Sequence, residues 1–450
     1  MEFIADPGIQ SGAAIAADIR VPGDKSISHR SIMLAAIAEG ETYIHGFLEG
    51  EDALATLAAF RAMGVEISGP DNGVVRVEGV GLHGLKAPQA PLDLGNSGTS
   101  MRLLAGLLAG QSFAVTLTGD SSLSSRPMER VAAPLRQMGA CIETAEAGRP
   151  PLKISPVDCL RGIDYSLPMA SAQVKSCVLL AGLYANGETS TVEPAPTRDH
   201  SERMLSGFGY SVKRQGARAS LCGGGQLSAT TIDVPADISS AAFFIVAATI
   251  VPDSDLTLRH VGVNPTRTGI IELLRLMGAD ITLSNQREVG GEPVADIRVC
   301  AVKLQGIKIP EALVPLAIDE FPIAFIAAAC AEGETLLSGA EELRVKESDR
   351  IQAMVDGLVA LGIDASGTED GAVIRGGVLG AGRDSVAIDS YHDHRIAMAF
   401  AIASLRSHCR IVIRDCDNVA TSFPNFAALA SELGVALQVV AESTHDGQTL

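Results

Sequence analysis

The sequence predicts an α/β protein of two similar domains, each made of three βαβαββ units. Three observations support this. At 450 residues the chain exceeds what one core usually organises, so two domains are the default. A set of three features, an apolar helix, a strand and an amphipathic helix, recurs six times in the same order. A glycine closes every set, at Gly64, Gly139, Gly209, Gly278, Gly362 and Gly434, spaced 69 to 84 residues apart. Units of that size divide evenly into two domains of three.

Each unit opens on a strand end and a polar turn: IRVPGDKSIS, LDLGNSGTS, YSLPMASAQVKS, IDVPADISS, AIDEFP and IDSYHDHR. A short apolar helix follows, as SIMLAAIAEG, RLLAGLLAG, SCVLLAGLYANG, AAFFIVAATIVPD, FPIAFIAAACAEG and IAMAFAIASLRS. A strand-like segment comes next: ETYIHGF, SFAVTLTGD, ETSTVEP, SDLTLRHV, ETLLSGA and CRIVIRD. An amphipathic helix then stops at glycine in FRAMGVEI, LRQMGACI, LSGFGYSV, LRLMGADI, LVALGIDA and SELGVAL. Glycine after a helical run, with alternating apolar residues beyond it, marks a helix C-cap leading into a strand. IRVPGD and IDVPAD are the most alike of the openings, and they precede the first and fourth units. Both suit a passage between domains. The expected boundaries lie near Gly23 and Ala236, giving an N-terminal domain of residues 23–235 and a C-terminal domain of 236–450 joined by 1–22.

Composition narrows the function classes. Hydrophobic residues make up 47% and charged residues 20%, as in a packed globule. The formal charge of −18, the absence of Trp and an aromatic content of 4% argue against a nucleic-acid partner, which needs a basic footprint and stacking surfaces. Eight scattered Cys without a CxxC pair suit reduced thiols of a cytosolic protein. The start MEFIADPGIQSG lacks a basic segment followed by a long apolar stretch, and the apolar runs are too short for a membrane span. A cytoplasmic location without membrane attachment is expected.

The polar turns carry the chemistry. A helix N-terminus offers free N–H groups and the positive end of a dipole, an anion site. Small or flexible residues stand at the entrances (Ser26, Ser28, Ser97, Gly98, Thr99, Ser171 and Gln173) with Lys25, Arg30, Arg102, Lys175 and Arg395 beside them. If the six entrances face one cleft, it focuses positive potential inside an acidic protein. Any single Ser or Asp there is equally explained as an N-cap worth about 1 kcal/mol. Asp319 and Glu320 stand at the fifth entrance, as a cap or as a proton-handling acid beside an anion site. RVKESDR places Lys346 and Arg350 four apart on one helical face, with Glu347 adjacent. His392, Asp393 and His394 are consecutive and cannot all turn to one ion on a helix, so no metal is expected.

PGDKSISHR, GNSGTSMRLL, GDSSLSSRPM, PMASAQVKS, TRDH, IDEFP, LRVKESDR, HDHRIAMAF and TSFPNF together resemble the 5-enolpyruvylshikimate-3-phosphate synthase family over nearly the whole chain. The likeness is greatest to the bacterial class typified by glyphosate-tolerant enzymes. It implies the enolpyruvyl transferase fold, with the active site between two three-unit domains that close over it. It implies transfer of the enolpyruvyl group of phosphoenolpyruvate to the 5-hydroxyl of shikimate 3-phosphate, with release of phosphate, by a monomer without metal or organic cofactor. By this resemblance Lys25 contacts both substrates, and Ser26, Arg30, Ser171, Gln173, Arg198 and Lys346 complete the phosphoshikimate site. Gly98, Arg126, Gln173, Arg350 and Arg395 surround phosphoenolpyruvate. Asp319 is the base at the 5-hydroxyl. Glu347, with Lys25, exchanges the proton at the methylene carbon, which suits a carboxyl of raised pKa. His394 lies close by.

Three positions depart from relatives. Ala172 stands where many have a second Ser, Leu103 where the commoner class has Pro, and Thr421 where Lys is frequent. Tolerant relatives carry Ala at the position of Gly98. Glyphosate needs more room there than phosphoenolpyruvate, so Gly98 implies partial sensitivity to glyphosate as a competitor. The sister family, UDP-N-acetylglucosamine enolpyruvyl transferase, carries a reactive Cys on an N-terminal-half loop. The loop GDSSLSSRPMER here has none, and Cys141 lies beyond it. A non-catalytic anion-binding protein would have no use for Asp319 and Glu347.

Overall fold

The computed structural model describes residues 1–8 and 14–441. Six apolar helices form its centre: Lys25–Ala36, Gly98–Leu108, Ala172–Gly182, Ile238–Ile250, Phe321–Cys330 and His394–Ala403. In Ile238–Ile250 every residue is buried, so this helix has no solvent face, and apart from Ser239, Ser240 and Thr249 its residues are apolar. Small residues let the helices approach closely. A Cβ at Gly106 would fall on the Cys177 carbonyl of the neighbouring helix, so only glycine fits. Each central helix leads into a strand, an amphipathic helix and a glycine at positive φ, from 80° at Gly209 to 98° at Gly278. That conformation ends the helix, as the sequence pattern required.

Among the described residues, six of the seven small sheets follow one strand order. In the second unit Leu92–Asp93 runs parallel to Val115–Thr118, which pairs antiparallel with Arg149–Ser155, itself paired with Cys141–Ala145. The fifth unit reduces its first strand to isolated parallel bridges, among them Lys308 with Leu336. The sixth takes its missing strand from the chain start. Glu2–Ala5 inserts antiparallel between Arg410–Arg414 and Leu437–Val440. Phe3 then stacks on Phe426, with ring centroids 6.3 Å apart, which ties the start of the chain into the core.

The first and fourth units exchange their opening strands. Ala16–Ile19, which precedes the first helix, pairs parallel with Asp255–Gly262 of the fourth unit. Thr231–Asp233, which precedes the fourth helix, pairs parallel with Glu39–His45 of the first. The two passages meet at an antiparallel bridge between Gly23 and Ala236. A Cβ on Gly23 would collide with the Gly46 carbonyl, so the crossing needs glycine. Buried apolar residues separate into one cluster spanning Ile27 to Val234 and another of Phe3, Ile15, Val21 and Ala236 to Val435. We propose these as two domains, residues 23–235 and 1–22 with 236–450, of which 9–13 and 442–450 lie outside the described residues. Among the described residues no helix is long and apolar enough to cross a membrane.

Candidate active site

The N-termini of all six central helices open on one cleft of about 1280 Å³, open solvent at its mouth included. Nine Lys and Arg side chains line it against five Asp and Glu, the reverse of the balance in the whole chain. Side chains cap five of the six helices: Asp24, Ser97, Ser171, Asp237 and Asp393 each accept a backbone N–H of the first turn. The fifth differs. Asp319 lies in the turn before Phe321–Cys330 and Glu320 takes the cap position, yet neither makes a side-chain cap. Asp319 is therefore not a structural cap. Glu320 turns the other way and accepts from the Ser239 hydroxyl.

The N-terminal lobe supplies the floor. Lys25, the first residue of its helix, donates its backbone N–H to Asp237 Oδ2 at 3.1 Å, and its ammonium pairs with Asp52. Gln173 Nε2 donates to Thr99 Oγ1 at 3.0 Å, while its Oε1 accepts from Arg102. Two helix entrances are thereby fixed to each other. Burial lowers the Arg102 pKa to about 10, with the like charges of Arg130 and Arg126 adding to it, so it stays charged at neutral pH. Arg126 Nη2 donates to Asn96 Oδ1 at 2.6 Å.

Two carboxylates reach across from the C-terminal lobe, and each meets an arginine of the other lobe. Asp319 pairs with Arg198 and lies 3.3 Å from Arg350 Nη1 and 3.8 Å from Lys346 Nζ. Burial by itself would raise the Asp319 pKa, but Arg198, Lys346, Arg395 and Arg350 outweigh it and hold the carboxyl well below the usual range. Glu347 Oε2 accepts from Arg350 Nη2 at 2.6 Å, and its Oε1 lies 3.7 Å from Arg126 Nη1. Here too burial is outweighed, by Arg350 and Arg126, and the pKa lies well below normal. The raised Glu347 pKa that proton exchange would suit is thus not that of this cleft, because the guanidiniums of Arg350 and Arg126 both face the carboxylate. Arg350, only 2% exposed, is held from behind by Asp393 through Nε at 2.8 Å. His394 is kept neutral by burial and by the cations Arg395 and Lys25.

Every residue that the family resemblance assigned to substrate binding or catalysis lines this cleft except Arg30. Its guanidinium donates to Ser201 Oγ, the Ser26 carbonyl and Ser176 Oγ at 2.8 to 2.9 Å, so it braces Ser26 from behind. Lys175 also turns away, into a buried triad with Glu193 and Glu202 at 2.8 Å each. Ser28 is buried as well, accepting from the Leu48 N–H. Lys346 and Arg350 do not share a helix: a 3-10 turn ends at Val345 and the α-helix starts at Arg350, capped by Asp349. The bend between them is what aims both at Asp319. The YHDHR run diverges, with Asp393 on Arg350 and His394 in the cleft, while His392 is exposed in a left-handed turn. Thr421 lies off the cleft, its hydroxyl on the Asn418 carbonyl at 2.7 Å. Among lining groups that sequence reading did not assign to the site, Asp52, Asp237 and Arg267 stand out. Asp237 was signalled by its place in IDVPADISS, parallel to Asp24; Arg267 had no local signal.

Residues 9–429 match the family model of EPSP synthase (3-phosphoshikimate 1-carboxyvinyltransferase). The chain is 67% identical over 437 residues to the 3-phosphoshikimate 1-carboxyvinyltransferase of Methylococcus capsulatus, covering 97% of this chain and 98% of that one. It is 64% identical to the enzyme of the same name from Hydrogenovibrio crunogenus, at 96% and 98% coverage. The structure of EPSP synthase from Acinetobacter baumannii superimposes with a TM-score of 0.87 at 58% identity, covering 98% and 100% of the two chains. The enolpyruvyl transferase NikO from Streptomyces tendae, at 16% identity and a TM-score of 0.76 over 97% and 98%, shares the fold.

Proposed function

Because the chain belongs to the EPSP synthase (3-phosphoshikimate 1-carboxyvinyltransferase) family, we propose how its cleft performs that reaction residue by residue. The enzyme transfers the enolpyruvyl group of phosphoenolpyruvate to the 5-hydroxyl of shikimate 3-phosphate and releases phosphate. One observation carries the assignment of roles: two carboxylates, Asp319 and Glu347, stand among nine cations where six helix N-termini meet. Both substrates carry a phosphate and a carboxylate, which arginine forks match in geometry.

In this reading Lys25 lies between the two substrates. Ser26, Ser171, Gln173, Arg198 and Lys346 hold shikimate 3-phosphate, with Arg30 behind Ser26. Gly98, Arg126, Gln173, Arg350 and Arg395 hold phosphoenolpyruvate. Asp319 takes the proton of the 5-hydroxyl as its oxygen bonds to C2 of phosphoenolpyruvate. Glu347, with Lys25, delivers a proton to C3, so the methylene becomes a methyl. Phosphate then leaves with the C–O bonding pair, Lys25 offsetting its charge, while Glu347 removes a methyl proton to restore the double bond. We place the enzyme in the cytoplasm and treat it as a monomer, since one chain supplies both walls of the cleft. No Cys among the described residues lines the cleft, which disfavours the sister transferase with its reactive thiol.

The purified protein should release phosphate only when both shikimate 3-phosphate and phosphoenolpyruvate are present. Release with UDP-N-acetylglucosamine in place of the phosphoshikimate would refute the assignment. Glyphosate sensitivity rests on Gly98. A Cβ there would lie 3.1 Å from Arg126 Nη1 and 3.2 Å from Arg102 Nη1, so both guanidiniums would have to yield. Gly98→Ala should weaken glyphosate inhibition by the 10- to 200-fold scale of one misplaced methyl, roughly, and raise the KM for phosphoenolpyruvate less. Equal losses for inhibitor and substrate would show that Gly98 does not discriminate between them.

A further inference from the structure

We propose that Arg267, which the family's reaction does not itself call for, is a positioning residue for Lys25. The proposal rests on the role given to Lys25 above. Arg267 occupies the turn between Asp255–Gly262 and helix Gly269–Leu276 in the C-terminal lobe, and its side chain is 3% exposed. Nη1 donates to Asp24 Oδ2 at 2.5 Å, and Nη2 donates to Asp237 Oδ1 at 3.0 Å and to Ser239 Oγ at 2.7 Å. Glu320 Oε1 lies 4.0 Å away. One guanidinium thus joins the caps of the first helix of each lobe.

Those caps are also where the chain crosses between lobes. Asp24 N–H donates to the Pro235 carbonyl at 2.8 Å, and Asp237 N–H donates to the Pro22 carbonyl at 2.9 Å. Lys25 is gripped inside this knot, following Asp24 directly and donating its backbone N–H to Asp237. The backbone from which the Lys25 side chain projects is therefore set by two carboxylates that Arg267 holds in register, while Asp52 pairs with the ammonium itself. A planar fork spans both, whereas an ammonium is a single point charge and would bridge them poorly. Both Nη atoms of Arg267 donate to protein, and of its nitrogens only the buried Nε lacks a hydrogen-bond partner among the described residues, so we place its action on Lys25 rather than on a substrate.

The test is a double-mutant cycle between Arg267→Ala and Lys25→Met in the full chain, with kcat, KM and direct shikimate 3-phosphate binding measured. Arg267→Ala should lower kcat about 100-fold, the scale of a displaced reacting group, with a smaller change in phosphoshikimate affinity. Added guanidinium ion should restore part of that rate in the variant and none in the parent. In the Lys25→Met background the loss should shrink sharply, because the two residues act as one unit. Additive losses would overturn the proposal, as would an unchanged kcat with only a lowered melting temperature. If Arg267→Ala does not fold, Arg267→Lys enters the same cycle with the same criteria. A Lys25→Met enzyme of unimpaired turnover would instead refute the role of Lys25, a separate and recognisable failure.

Discussion

Asp319→Asn is expected to reduce turnover about 1000-fold, within the range for loss of a general base, while leaving the affinity for shikimate 3-phosphate unchanged or tighter. The two effects separate because of what surrounds the carboxylate. Asp319 faces Arg198, Lys346 and Arg350, groups that we assign to anion binding. Asparagine keeps the shape and removes the negative charge, so those cations turn more fully to the substrate. In the unliganded cleft the same cations, outweighing burial, keep Asp319 ionised far below neutral pH. An acid held so low is a weak base. On the proposed assignment, substrate anions that neutralise Arg198 and Lys346 are expected to raise its pKa towards the working range, at the moment when a base is needed. Calorimetric binding set beside steady-state kinetics tests this. Parallel loss of affinity and turnover would make Asp319 a binding residue.

Much of this arrangement was legible in the sequence, for identifiable reasons. The six glycines after the amphipathic helices are visible because a left-handed residue at a helix end has few other candidates. The helix entrances are visible because caps and anion sites use the same small polar residues. Facing direction was harder to read. Lys175 follows Gln173 by two positions, about 200° around the helix, so one faces the cleft and the other the interior. Arg30 lies five positions past Lys25 and turns inward in the same way. Lys346 and Arg350 have helical spacing, but Asp349 starts a new helix between them. Partner choice is the least local property. Nothing in IRVPGD or IDVPAD states that each strand pairs in the other unit, although their likeness marked both crossings. Arg267 is the extreme case, since its partners stand 243 and 30 residues away.

Glu347→Gln should reduce turnover by roughly 100- to 1000-fold, as loss of a proton-transfer group does, and should leave phosphoenolpyruvate binding nearly intact. The carboxylate is pinned between Arg350, at 2.6 Å, and Arg126 of the other lobe, at 3.7 Å. Those arginines are also the ones assigned to phosphoenolpyruvate, so arrival of the substrate draws their charge away from Glu347. On the proposed assignment its pKa is then expected to rise from the value these arginines depress, because burial, which opposes ionisation, is no longer offset by them. The raised pKa that reversible proton exchange demands is in this view supplied by the substrate and is absent from the resting enzyme. Glutamine preserves an acceptor for Arg350 but carries no exchangeable acid proton. Deuterium from solvent should therefore enter the C3 methylene during turnover by the parent enzyme, and in Glu347→Gln exchange per turnover should fall as well as turnover itself. If Glu347 served only to orient Arg350, the variant would show a raised KM for phosphoenolpyruvate and undiminished exchange per turnover. The two outcomes differ in kind, so a single pair of measurements decides whether the second carboxylate moves the proton or merely holds the arginine.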